Sequence, residues 1–403
     1  MTLEGLYHSL RGIAAYRHLL DQPVPAAVLA LLNGLSTGPV EAAVEHYAHL
    51  FYTLESEGYS SLGRWFWDAL RYQEAPYPTC LERGREDPLL EQAARRDIEV
   101  FRSLAGLECG TLLAHLKGRA VPGCDLALES LPRWQTEVPF TFEALRDFYL
   151  VNGAGLFARY RAFVWTENTL IPVRNPDSPA PEEMIGYERQ RGQVVANTRA
   201  MLEGRPINNV LLYGDSGTGK SATVKSLLSV PAFTGLRLIE VQKDALETLP
   251  HLIRRLDGRR QTFILFIDDL AFDQDDRVYS ALKTILEGGL EPRPVNVAVY
   301  ATSNRRHLVR QTFSDRAGDE VDRRETIAEK TALSERFGLR IPYLSLDKAD
   351  FLRLVDRMAA LSGVTMEPEA LHDGALKWET RHPGRTPRTV KQFLQSLTLT
   401  PAP

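Results

Sequence analysis

The chain has 403 residues, 44% of them hydrophobic and 25% charged, with a formal charge of −4. This balance excludes a fibrous or wholly disordered chain and gives enough length for roughly two or three domains with cores of their own. The mild negative charge supplies no global pull toward nucleic acid or an anionic membrane, so any such partner must rest on a local surface.

From Leu3 to about Leu116 the pattern is mostly helical, and the expectation is a mostly helical N-terminal domain over 1–165. "PVEAAVEHYAHLFYTLE" repeats apolar residues three and four apart, and the aromatic run "RWFWDALRY" reads as packing, with a partner surface as the alternative. The longest apolar stretch, Ala26–Leu32, falls far short of the ~20 residues that span a bilayer, and no leader pattern opens the chain. The expectation is a cytoplasmic protein with no membrane partner. Cys80, Cys109 and Cys124 lack paired CxxC spacing and read as reduced structural thiols.

Residues 166–184 carry Pro172, Pro176, Pro179 and Pro181, which forbid a continuous helix and predict an extended linker. Beyond it, helical and apolar strand patterns alternate: helix 186–203, "NVLLYG", helix 219–229, "LRLIEVQ", helix 244–257, "FILFIDD", helix 275–287 and "VNVAVYATSN". That alternation predicts an α/β core at 185–343 built on a parallel sheet covered on both faces. From 344 to 403 the strands stop. "DFLRLVDRMAAL" aligns Phe351, Leu354, Val355, Met358 and Leu361 on one face, predicting a small helical domain.

Chemistry concentrates in "GDSGTGKS". Gly214, Asp215, Ser216, Gly217, Thr218, Gly219, Lys220 and Ser221 fit G-x-x-x-x-G-K-[ST], after an apolar strand and before a helix that continues through Ala222. Glycines let backbone N–H groups converge on phosphate oxygens, and the helix start adds a favourable partial charge. Lys220 is suited to the β- and γ-phosphates and Ser221 to Mg²⁺. Such a loop binds a nucleotide, and by itself does not establish hydrolysis. "FILFIDDL" then brings Asp268 and Asp269 to the end of a buried strand, where ligands of an open α/β sheet collect. Asp268 would hold Mg²⁺, and Asp269 would polarise a water for attack on the γ-phosphate. Two aspartates can equally cap a turn. Thr302, Ser303 and Asn304 reach the same rim. Asn304 could orient the water, or serve as an ordinary turn residue.

Taken in order, the glycine loop, Asp268-Asp269, Asn304, "LSERFGLRIPY" and "GRTPRTVKQFL" resemble an AAA+ P-loop ATPase, and more particularly an uncharacterised bacterial family of predicted AAA+ ATP-binding proteins. The resemblance implies a five-stranded parallel sheet with a helical lid, ATP with Mg²⁺, and a homo-oligomer. It makes Asn304 the sensor 1 residue, Arg336 the arginine finger offered to a neighbouring subunit, and Arg388 the sensor 2 arginine of the lid. Ile185, Gly186 and Tyr187 match the segment lining the adenine pocket. A guanidinium suits charge developing on γ-phosphate oxygens. Read alone, either arginine could be a solvated surface charge.

One departure is Asp269, where AAA+ proteins more often have Glu, and another is the lack of an aromatic pore loop in "VQKDALETLP". The first counts against fast turnover, and the second against an unfoldase. The leading expectation is an ATPase acting as a conformational motor on an unknown protein client. Its rival is an ATP-gated scaffold or loader with little hydrolysis, and a small-molecule kinase fits less well. Arg305, Arg306, Arg310, Arg316, Arg323 and Arg324 leave nucleic acid open as a partner, although interleaved acids favour a solvated or inter-subunit surface.

Overall fold

The computed structural model describes residues 2–119, 128–270, 293–304, 335–382 and 384–399, with Leu282 and Leu286. They fall into two compact units, Met1–Arg159 and Tyr160–Pro403. Cys124, the arginines from 305 to 324 and all but two residues of the expected helix 275–287 lie outside the described residues.

The first unit is built from helices, including Pro23–Thr37, Val40–Ser56, Leu62–Tyr72, Pro88–Ala105 and Phe142–Asn152. Several begin on a side chain that accepts a backbone N–H of the first turn, as Ser61, Asp87 and Thr141 do, so donors that a helix start leaves orphaned are paired. Leu31, Leu50, Phe66 and Phe101 are fully buried in one core. The aromatic run is part of it. Trp65 and Phe66 are buried, and Trp67 stacks on Phe140 with ring centres 5.9 Å apart. Asp97 is also buried, and its Oδ2 accepts the N–H groups of Ala14 (2.9 Å), Ala15 (2.7 Å) and Tyr16 (3.2 Å).

The second unit centres on a seven-stranded sheet. Its strands are β1 (Ala162–Thr166), β2 (Thr169–Val173), β3 (Val210–Gly214), β4 (Leu236–Val241), β5 (Thr262–Ile267), β6 (Val297–Ser303) and β7 (Leu339–Tyr343), in the spatial order β2-β1-β4-β5-β6-β3-β7. Every pairing is parallel except β1 with β2. β6 is buried along its whole length and β5 from Phe263 onward, as an apolar strand covered on both faces must be.

The β1–β2 hairpin occupies the end of the expected mostly helical domain 1–165 and the start of the expected linker 166–184. Its two-residue turn, Glu167-Asn168, has positive φ at both positions, the geometry of a tight hairpin, yet contains no glycine to advertise it. Pro172 is tolerated because β2 is an edge strand, where a missing backbone donor breaks no ladder. The five parallel strands expected from the sequence are β3 to β7, and the hairpin extends them.

Helices Lys348–Leu361, Pro368–Glu379 and Pro387–Leu399 follow β7 and share a small core of Phe351, Val355, Leu371, Val390 and Phe393. Among the described residues no helix is long and apolar enough to cross a membrane.

Candidate functional site

The glycine loop leaves the carboxyl end of β3, a strand held between β6 and β7. Gly214 has φ +129° and Gly217 φ +79°, backbone states that side chains rarely adopt. A Cβ at Gly214 would strike the Tyr343 carbonyl, and one at Gly217 would come within 3.0 Å of Thr386 Oγ1 and Arg388 Cβ. Both glycines are therefore required by close approach as well as by backbone angle. Gly219 caps the helix Lys220–Ser226, whose first N–H groups face the loop.

Lys220 is only 6% exposed. Its ammonium donates to Gly214 O (3.0 Å), Asp215 O (2.7 Å) and Asn304 Oδ1 (2.8 Å). Burial pulls its pKa below the usual lysine range, while Asp215, Asp269 and Asp268 act in the opposite sense. Asn304 in turn donates from Nδ2 to Asp269 Oδ1 (3.0 Å), so one amide joins the lysine of the loop to the second acid. Asp268 Oδ1 accepts from Ser221 Oγ (2.6 Å) and Thr302 Oγ1 (2.5 Å). Thr302 Oγ1 also accepts the Asp269 N–H at 2.9 Å, which steadies Asp269 at φ +50°. The Ser221 hydroxyl and Asp268 carboxylate are hard oxygen donors side by side, and fit the one or two protein ligands that Mg²⁺ takes beside phosphate.

Beside the loop lies a cleft of about 300 Å³, lined among others by Ile185, Gly186, Tyr187, Gly219, Ala222, Tyr343 and Arg388. Ile185 also packs into the apolar core of the helical segment. Tyr187, at φ +57° ahead of the helix Glu188–Leu202, stacks on Tyr343 with ring centres 5.0 Å apart. Tyr343 OH pairs with Thr223 Oγ1 at 3.0 Å, and burial pushes its pKa up to about 12, so the phenol stays neutral. An apolar cleft next to the glycine loop has the size and chemistry for a nucleobase.

Arg388 reaches the loop in its own chain, with Nη1 3.3 Å from Ser216 Oγ and its backbone N–H on Gly217 O at 3.2 Å. Arg336 does not. It is exposed ahead of β7, whose first residue pairs with Val210 and whose last pairs with Gly214. At ~3.3 Å per strand residue, roughly 13 Å separates Leu339 from Tyr343, so Arg336 stands at the opposite rim of the sheet from the glycine loop.

The sequence reading missed Lys243, whose Nζ lies 3.7 Å from Asp269 Oδ2. The available signal was its place just beyond the carboxyl end of β4. Also missed was Ser345, whose N–H donates to Asp215 Oδ2 at 2.7 Å.

A largely parallel sheet with its glycine loop leaving β3 between β6 and β7, acids at the end of β5, Asn304 at the end of β6 and a helical segment after β7 form a P-loop α/β fold, arranged as the AAA+ resemblance implies. The family model described as "Protein of unknown function (DUF815)" matches residues 158–400, more than half of the chain, and the chain belongs to that family. No curated protein matches the chain in sequence. Solved structures of Thermotoga maritima RuvB are similar at a distance. The RuvB described as a Holliday junction branch migration motor has 17% identity and a TM-score of 0.30, over 55% of this chain and 72% of that one. A RuvB variant has 17% identity and a TM-score of 0.35, over 54% of this chain, which spans 64% of that variant's length. Another has 18% identity and a TM-score of 0.36 with the same coverage.

Proposed function

We propose that the protein binds ATP in the loop 214–221 and hydrolyses it to ADP and phosphate with Mg²⁺, as an oligomer that uses the cycle to reposition its lid against a protein client. The supporting observation is the continuous hydrogen-bonded chain Lys220–Asn304–Asp269, with Ser221, Asp268 and Thr302 beside it, at the ends of three neighbouring strands. Loop N–H groups and Lys220 hold the β- and γ-phosphates, Ser221 and Asp268 hold the cation, and Asp269 and Asn304 orient the attacking water. Mg²⁺ held by Ser221 and Asp268 would supply charge neutralisation at the phosphates. Ile185, Gly186, Tyr187 and Ala222 receive the base. Arg388 approaches the phosphates from the lid of the same chain, and Arg336 completes the site of an adjoining copy. That pairing accords with its position on the rim away from its own loop.

Asp269→Asn should keep nucleotide affinity and lower phosphate release by 10² or more, the usual scale for loss of a general base or water-orienting group. Unchanged turnover in that variant would remove Asp269 from the chemistry. The second reading, an ATP-gated scaffold or loader with slow hydrolysis, is favoured by one observation. Asp269 is short and is engaged by both Asn304 and Lys243. Tight ATP-dependent assembly without release of phosphate would select it.

A further inference from the structure

The connector between sheet and lid is Leu344–Ser345–Leu346–Asp347, between the end of β7 and the helix Lys348–Leu361. Its backbone is tied at consecutive positions. Leu344 O accepts from Tyr187 OH at 2.6 Å, Ser345 N–H donates to Asp215 Oδ2 at 2.7 Å, and Leu346 N–H donates to Arg385 O at 3.0 Å. Tyr187 walls the base cleft, Asp215 belongs to the phosphate loop, and Arg385 precedes the last lid helix. Asp347 then caps the lid's first helix by accepting from Asp350 N–H at 2.7 Å.

Asp215 is the unusual member of this set, because it places a carboxylate inside a loop built to receive anions. Its own backbone is already committed to the cradle. Asp215 N–H donates to Tyr343 O at 2.9 Å, and Asp215 O accepts from Lys220 Nζ and Thr218 Oγ1. Its carboxylate oxygen Oδ2 is the atom that accepts the N–H of Ser345, the residue on which the lid's approach begins.

We infer that Asp215 is a positioning residue that holds the lid connector to the phosphate loop, and that a triphosphate entering the loop loosens this hold by like-charge repulsion. The connector thereby reads phosphate charge directly, through one carboxylate and one amide. This role rests on the nucleotide-binding reading above. Charge is the operative property, since an asparagine could keep the acceptor oxygen at the same position without being repelled.

Hydrogen exchange followed by mass spectrometry on the full chain resolves the two halves of the idea, because the Ser345 amide and the loop amides report separately. Without nucleotide, the Ser345 amide should exchange roughly tenfold more slowly than in Asp215→Ala, the scale of one charge-assisted bond. Adding the non-hydrolysable analogue AMP-PNP with Mg²⁺ should protect loop amides and speed Ser345 in the wild type. In Asp215→Asn, at whatever AMP-PNP concentration protects its own loop amides, Ser345 should stay slow. Ser345 unchanged by AMP-PNP in the wild type, with the loop protected, overturns the release and leaves nucleotide binding standing. Equal Ser345 exchange in the wild type and Asp215→Ala overturns the tie itself. Absence of loop protection at saturating AMP-PNP overturns the nucleotide reading and the release together.

Discussion

Replacing Lys220 with Met should separate nucleotide binding from folding. The ammonium is nearly enclosed and spends its three N–H bonds on Gly214 O, Asp215 O and Asn304 Oδ1, at 2.7–3.0 Å. A phosphate oxygen about 4 Å away in a partly buried site attracts it by ~4 kcal/mol at an effective dielectric of 20. Turning the ammonium toward that oxygen gives up one charge-assisted hydrogen bond worth about 2 kcal/mol net, leaving ~2 kcal/mol. Kd for ATP in Lys220→Met should therefore rise by about 30-fold. Folding should suffer less. Burial pulls the lysine pKa down, so an apolar side chain of similar length relieves a desolvation cost that offsets part of the loss of the three hydrogen bonds. Titration of a fluorescent ATP analogue, with thermal unfolding of the same preparations, measures both quantities. A Kd within threefold of wild type, at equal stability, would refute the placement of phosphate against Lys220.

Gly214→Ala should destabilise the second unit by about 3 kcal/mol or more, read as a lower unfolding midpoint, because φ +129° and the Tyr343 carbonyl both oppose a Cβ. In the first unit, Asp97→Ala should cost about 3 kcal/mol by stranding the N–H groups of Ala14, Ala15 and Tyr16. Burial raises the Asp97 pKa more than those donors lower it, so its contribution is complete below the ordinary aspartate value and declines as pH rises through the raised folded value. Asp97→Asn, which keeps an acceptor without the charge, should therefore gain on the wild type as pH climbs through that window. Denaturant midpoints at acid and neutral pH would show it, and a wild type that gains on the variant instead would contradict the sign. Lys243→Ala should alter phosphate release while leaving ATP affinity within about threefold, since its contact is with Asp269 at 3.7 Å and the pair is exposed. A parallel loss of affinity would place Lys243 on the phosphates.

Most of the site could be read along the chain because each piece carries a local reason for its composition. The loop needs glycine where φ is positive or another backbone presses close, and β5 and β6 are nearly unbroken apolar runs that turn polar toward their carboxyl ends, at Asp268 and Thr302 on the rim. What escaped depends on spatial neighbours. Lys243 meets Asp269 only because β4 and β5 pair in parallel, and Ser345 meets Asp215 because β7 ends beside β3. Neither is a spacing in the sequence. The hairpin β1–β2 was hidden by Pro172, which reads as a breaker until its edge position is known. Arg336 shows the converse limit. Its motif was legible, yet β7 carries it to the rim away from its own loop, so the role proposed for it depends on a second copy.

Mixing two inactive variants tests that shared site most directly. Lys220→Met lacks a working cradle but retains Arg336, and Arg336→Ala retains the cradle but lacks the arginine, so each alone should release phosphate at least ~10³-fold more slowly than wild type. Combined, they should regain turnover, because some cradles would then face an intact Arg336 on a neighbour. Co-assembled mixtures that stay as inactive as either variant alone, or an Arg336→Ala protein as fast as wild type, would contradict a site completed between copies.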